Sequence, residues 1–266
     1  MKKLVSILLF TGCVLSGKVI AQRNDVILRD FFQNKDYRKN WEKAESCCPH
    51  SMKLLTGADQ VAGRNAIRFE VDRNDQKVNN GYRSELRMAK EKTADIERWY
   101  KFSIFLPADY EIDSTFEVLA QWHEVPDFSL GEKWRSAPIS LQTDKEKWRI
   151  CINSASDPVN TDKTISLKKT IELGDIKKGV WTDWLFHIRF SYQEDGVLEV
   201  WENDKMVVDY KGPNYYNDKT GPFFKIGIYK TPWKFYRNNS IVTNRVVYFS
   251  DVKVGNEHAS FDSMKD

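Results

Sequence analysis

The sequence is short of several things. Its 266 residues include only four cysteines and eight prolines, and its formal net charge is +3. Lys2, Lys3 and Lys18 account for that whole excess, because the first 21 residues hold these three cations and no acid. The remainder is neutral, which excludes the broad basic field that draws nucleic acid. An anionic ligand must therefore be met by a local cluster of cations. Past residue 21 no apolar run approaches the about 20 residues a bilayer-spanning helix needs. Internal repeats, low-complexity tracts, linker-like segments and long amphipathic helices are also missing. The cysteines stand at 13, 47, 48 and 151, which is not a zinc spacing. Adjacent cysteines rarely bridge each other, so a disulfide in an exported chain is expected between Cys151 and either Cys47 or Cys48. No cofactor is expected, and a structural calcium would have no motif to occupy.

The N-terminus carries an address. Lys2 and Lys3 precede an apolar run from Leu4 to Phe10, and Val19-Ile20-Ala21 provides a small-residue exit. This is the pattern of a secretory signal peptide, with cleavage expected after Ala21. Thr11-Gly12-Cys13 is the alternative, a lipoprotein-type site, but Phe10 and the short run before it fit that pattern poorly. The expectation is an exported protein, periplasmic or secreted, monomeric and without a transmembrane segment. Residues 22–266 are expected to form one domain.

With 41% hydrophobic and 13% aromatic residues, the chain can bury a substantial core. Its apolar pattern has period two. Ala66–Val71, Tyr82–Met88, Arg98–Pro107, Phe116–His123, Ala137–Gln142, Trp148–Asn153, Trp184–Tyr192, Val197–Glu202, Lys205–Tyr210, Phe223–Lys230 and Val246–Val254 all read as strands. Glu194-Asp195-Gly196 and Asn203-Asp204 supply tight turns between three of them. Many short strands with frequent turns predict an all-β, two-sheet antiparallel sandwich. Residues 22 to about 60 show no clear pattern.

Three of these strands present a chemically useful face. Arg83, Glu85 and Arg87 share one side of their strand, and an Arg-Glu-Arg row can brace itself while leaving a guanidinium fork for a carboxylate. Glu117, Leu119, Gln121 and His123 are read as one face of the next, placing an amide donor beside a titratable base. On the third, Lys225, Gly227 and Tyr229 alternate with Phe224, Ile226 and Ile228. A glycine inside a strand often marks close approach of a ligand or of another backbone. Each row alone also fits an ordinary solvated sheet face. His187, with Arg189 on the same face, reads more simply as a structural histidine, and His50 and His258 carry no pattern.

The ordered trio Tyr-Arg-Ser-Glu-Leu-Arg, Gln-Trp-His and Phe-Lys-Ile-Gly-Ile-Tyr resembles the signatures of jelly-roll polysaccharide lyases over residues 64 to 254. It is most similar to the heparin lyase I and glucuronan lyase group, and shares motifs with family 7 alginate lyases. That resemblance implies a concanavalin A-like β-jelly roll that cleaves a uronic-acid polysaccharide by β-elimination. It implies that His123 and Tyr229 transfer the protons, while Arg83, Gln121 and Lys225, with Glu85 and Arg87, hold the anionic substrate. An N-terminal glutamine important in heparin lyase I has no recognisable counterpart here.

The residues agree with that chemistry. Removing the C5 proton beside a carboxylate requires that the developing charge be neutralised, and Arg83, Gln121 and Lys225 qualify. A base and an acid are needed for the proton and the leaving oxygen; His123 and Tyr229 can divide or share those roles, with Lys225 favouring the phenolate. Two other readings remain open at this level. Glu111, Asp113 and Glu117 resemble the Glu-x-Asp-x-x-x-Glu motif of family 16 glycoside hydrolases, although Ser114 and Thr115 replace the expected apolar filler. A non-catalytic glycan-binding module could use some of the nine tryptophans, most of which are expected in the core.

Overall fold

The computed structural model describes residues 25–235 and 237–265. The expected signal peptide and Cys13 lie outside the described residues. The chain folds as a concanavalin A-like β-jelly roll of two antiparallel sheets. The larger sheet has eight strands: β13 (Lys205–Lys211), β12 (Val197–Glu202), β11 (Trp181–Phe190), β6 (Ile96–Phe105), β15 (Asn244–Gly255), β4 (Ala66–Asp72) and β3 (Met52–Leu55) in spatial order, with β1 (Val26–Asp30) also pairing β15. The smaller has seven: β10 (Leu167–Asp175), β9 (Lys147–Ser154), β8 (Ile139–Asp144), β7 (Glu117–His123), β14 (Phe223–Tyr229), β5 (Arg83–Arg87) and β2 (Lys43–Glu45). Two short helices, α1 (Pro232–Phe235) and α2 (Phe261–Lys265), complete the elements that matter here.

Alternation decides which residues fill the space between the sheets. Leu86 on β5, Ala120 and Trp122 on β7, and Phe224, Ile226 and Ile228 on β14 point inward. They meet Phe102 of β6, Phe186 of β11 and Phe249 of β15 in one apolar cluster. Trp122 stacks on Phe224 with ring centres 5.1 Å apart. Trp148, Trp184 and Trp233 are buried as completely as Trp122. None of these four indoles can meet a ligand.

Four strands went unread in the sequence. β1, β2 and β3 are three to five residues long, too short to establish a period. β10 runs Leu-Lys-Lys-Thr-Ile-Glu-Leu-Gly-Asp at the edge of its sheet, where lysines discourage further pairing and obscure the apolar pattern.

Candidate active site

The three polar rows meet on the outer face of the smaller sheet, because β7, β14 and β5 are neighbours there. Lys225 of β14 stands in register with Arg87 on one side and Gln121 on the other; Tyr229 pairs with Arg83, and Phe223 with His123. His123 and Tyr229 thus belong to one surface, at opposite ends of β14. Six residues of strand separate their register positions, at most about 20 Å of backbone, with Gln121 and Lys225 between. No hydrogen bond or ring contact joins the two directly among the described residues.

Beneath that surface lies an ionic cluster. The Lys225 ammonium donates to Glu45 and to Glu85, each at 2.7 Å, and is only 2% exposed. Gln121 Nε2 donates to the other oxygen of Glu85 at 2.5 Å, and Arg83 donates to Glu85 at 3.0 Å. Burial works to raise the Glu85 carboxyl, yet the charges of Lys225 and Arg83, with the bonds from Lys225 and Gln121, outweigh it and hold the group below its ordinary value. Lys225 is therefore balanced by protein carboxylates and is not a bare cation. Arg83 and Arg87 stand closer to solvent; Arg87 donates to Glu42 at 2.6 Å, and the buried Nε of each arginine has no hydrogen-bond partner among the described residues. Glu45 was not anticipated; it comes from β2, one of the strands too short to read.

Tyr229 is held by its neighbours. Its ring lies under the Arg83 guanidinium at 3.8 Å, so the cation beside the phenol is Arg83, where the sequence suggested Lys225. At its edge the ring abuts Gly81, where an added Cβ would collide with ring carbon Cε2 and crowd the Arg83 guanidinium. Gly227 serves the backbone: with φ of +135°, it packs against the Ser84 carbonyl so closely that no side chain fits. Of the two explanations for a strand glycine, approach of another backbone is the one realised.

His123 is anchored from behind. Its Nδ1 lies 2.6 Å from Glu124 Oε2, and its ring stacks on Phe223 at 5.4 Å and meets the edge of Trp134 at 5.5 Å. Glu124 is buried and accepts from the backbone N–H of Arg135 at 2.9 Å. The Arg135 side chain donates to Glu132, to Asn160 and, through a two-bond fork, to Asp218. Three carboxylates thus crowd one guanidinium. Burial, added to by the charges of Glu132 and Glu124, pushes the Asp218 carboxyl up to about 7 despite Arg135. These loop residues carry no periodic pattern, so the sequence offered no signal for them beyond the acid next to His123.

Two expectations are corrected by a β-bulge. The register of β7 shifts between Val118 and Ala120, and the extra residue turns Leu119 and Glu117 away from the face of Gln121 and His123. Leu119 joins the core. Glu117 is buried and tied to Arg245 of β15, with Nε to Oε2 at 2.8 Å, and to Lys230 at 3.3 Å. Burial alone would raise its carboxyl, but Arg245 and Lys230 hold it low. Asp113 is likewise buried, accepting from Thr115 and Ser240 and pairing with Lys230 at 2.6 Å, while Glu111 is exposed. The trio read as hydrolase-like is therefore divided, with two members locked in ion pairs.

His187 belongs to β11 of the larger sheet, on the far side of the sandwich from this cleft. It bridges Glu97 and Glu199, both at 2.7 Å, and stacks on Trp99, a structural arrangement. The cysteine expectation also changes. Cys47 and Cys48 are bonded to each other, and Cys151 is free. Cys151 lies on β9 and the pair follows β2, five strand positions across the sheet, roughly 24 Å at the usual strand spacing. Asp75 joins the two sulfurs in the one grouping with metal-ligand spacing among the described residues, but sulfurs bonded to each other are not thiolate ligands.

A family model described as polysaccharide lyase matches residues 34–253. No curated protein matches the sequence. Among solved structures, an endo-β-1,4-glucuronan lyase from the fungus Trichoderma reesei superposes with a TM-score of 0.70 at 13% identity, covering 88% of this chain and 97% of that one. An alginate lyase from Chlorella virus gives 0.56 at 13% identity, over 87% and 99% of the two chains. A family 7 alginate lyase gives 0.55, also at 13%, over 79% and 85%. These likenesses show the fold.

Proposed function

We propose that this chain, which belongs to the polysaccharide lyase family, cleaves a uronic-acid polymer of the glucuronan or heparin-like type by β-elimination at the cleft that His123 and Tyr229 flank. The observation that carries this reading is the state of the carboxylates. Glu45 and Glu85, on the cleft face, are bound by Lys225, Arg83 and Gln121, while Asp113 and Glu117 are paired away from it. A retaining hydrolase needs two carboxyl groups free to act as nucleophile and acid. What this face offers an incoming anion is an imidazole and a phenol, with two arginines whose partners are Glu85 and Glu42, a set that an elimination can use.

In this scheme Arg83 and Arg87 meet the uronate carboxylate, while Lys225 and Gln121 hold Glu45 and Glu85 beneath them. That lowers the energy of the carbanion formed when the C5 proton leaves. Tyr229 Oη takes the C5 proton, because that proton and the C4 oxygen are neighbours on one sugar, while His123, at the other end of β14, meets the adjoining unit. The electron pair of the C5–H bond becomes the C4–C5 double bond as the C4–O bond breaks, and the Tyr229 hydroxyl protonates the departing oxygen. The preference for a glucuronan-type polymer is supported by the Gln-Trp-His row and by the fuller superposition on a glucuronan lyase. Trp122 itself is buried and reads no sugar. Export through the N-terminal signal would bring the enzyme to such a polymer, and no helix among the described residues is long and apolar enough to cross a membrane.

The test is a polymer panel of glucuronan, heparin, heparan sulfate, chondroitin, hyaluronan and alginate, followed by the ultraviolet absorbance of unsaturated uronide. Absorbance should rise on glucuronan or a heparin-like polymer, Tyr229→Phe should lose about 100-fold or more in kcat, and His123→Ala about tenfold or more in kcat/KM. Full activity in both variants would remove the assignment of this site. A rise on alginate alone would overturn the substrate class.

A further inference from the structure

The loop after β7 ends in a feature that the proposed chemistry leaves unused. Between Asp127 and Arg135 the chain exposes Phe128 (56%), Leu130 (44%) and Trp134 (52%), three large apolar side chains within seven residues. Single exposed apolar residues are ordinary, but a contiguous group beside a cleft marks an interaction site. These rings are contiguous with the candidate active site. Trp134 meets Phe128 edge-on at 5.6 Å, His123 at 5.5 Å and Phe223 at 6.1 Å, and Phe223 lies under the Arg87 guanidinium at 5.0 Å.

The loop is also held rigidly. Glu132 and Arg135, on either side of Lys133-Trp134, are buried; Glu132 accepts from the backbone N–H groups of Asp127 and Asn160 as well as from Arg135. Burying three carboxylates around one arginine is a costly way to fix a loop. Its result is that an indole stands half-exposed in a set orientation, with little entropy left to lose on binding.

Building on the uronate-lyase reading, we propose that Trp134 and Phe128 form an aromatic subsite that stacks the face of a pyranose ring of the bound polymer, on the His123 side of the bond being cut. The apolar C–H face of the sugar covers the rings, and Arg87 faces the carboxylate of the stacked unit or its neighbour. Binding here is uniform between ground state and transition state, so it acts on KM and leaves kcat largely alone.

The experiment is steady-state kinetics of Trp134→Ala, Trp134→Phe and Phe128→Ala on the cleaved polymer and on a size series of its oligosaccharides. Trp134→Ala should raise KM about tenfold on the polymer, and the kcat criterion, within about twofold of the unaltered enzyme, is read on Phe128→Ala. Phe128→Ala, which does not touch His123, should move KM in the same direction, and Trp134→Phe should recover most of the loss. The effect should fade on oligosaccharides too short to reach the subsite. Unchanged KM in both alanine variants, or a fall in kcat alone, would overturn the subsite. If the unaltered enzyme eliminates none of the uronate polymers, the underlying reading fails instead.

Discussion

The Arg83 guanidinium lies 3.8 Å over the ring of Tyr229, and the Cε2 edge of that ring abuts Gly81. The phenol is thus clamped by contacts that leave its hydroxyl alone. Gly81→Ala should push the ring out of place and lower kcat by about tenfold to 100-fold, since small misplacements of a reacting group are expensive. Far-ultraviolet circular dichroism should be unchanged. A kcat equal to that of the unaltered enzyme would show that the clamp does not set the phenol's position.

Glu124 is expected to act through His123. His123 Nδ1 lies 2.6 Å from the Glu124 carboxylate, and its hydrogen bond, at 3.3 Å, goes to the Glu124 backbone carbonyl, so one residue orients the imidazole twice. Glu124→Gln should therefore lower kcat/KM by about fivefold, and the pH profile of kcat/KM should move with it. A change confined to thermal stability would assign Glu124 a purely structural role.

The Lys225 cluster should behave as a buried, compensated charge group. Lys225→Met leaves Glu45 and Glu85 without their shared cation, and should cost about 3–5 kcal/mol in chemical denaturation. A loss under about 1 kcal/mol would mean that water already screens these carboxylates.

Asp218 makes stability depend on pH in a particular direction. Its carboxyl is raised from 3.8 to about 7 by burial and by Glu132 and Glu124, so folding favours the protonated form. The stabilising contribution is complete below the ordinary carboxylate value and is lost as pH rises through about 7. The melting temperature should therefore fall from about pH 5 to about pH 8, and Asp218→Asn should flatten that decline. Parallel profiles for the two proteins would contradict the shift.

The cysteine arrangement predicts its own thiol count. Of Cys47, Cys48 and Cys151, only Cys151 should react with a thiol reagent in the native oxidised protein, and all three after reduction. Peptide mapping should recover Cys47 and Cys48 on one internally bridged peptide. A cross-link to Cys151 would contradict the sheet order.

Local pattern was enough to mark the strands that carry the cleft. β4, β5 and β14, and β7 beyond its bulge, alternate apolar with polar residues, because one face of each packs into the aromatic core while the other carries polar and charged groups. That periodicity exists in the chain before any partner strand is found. The all-β class was legible for this reason, while lyase character and the candidate set of Arg83, Gln121, His123, Lys225 and Tyr229 came from the resemblance of the motifs on these strands.

Tertiary structure decided what each of those side chains meets. Glu45 reaches Lys225 across 180 residues of sequence, from a strand too short to recognise. The bulge in β7 turned Glu117 from the cleft toward Arg245, because one extra residue reverses an alternating pattern that sequence alone carries straight through. Strand order set Cys151 too far from the cysteine pair to bridge it, and set His187 on the other sheet. Alternation fixes the face of a side chain within its own strand; which charge stands opposite depends on the order and register of strands that are distant in the chain, and that is settled only when the sheets pair and pack.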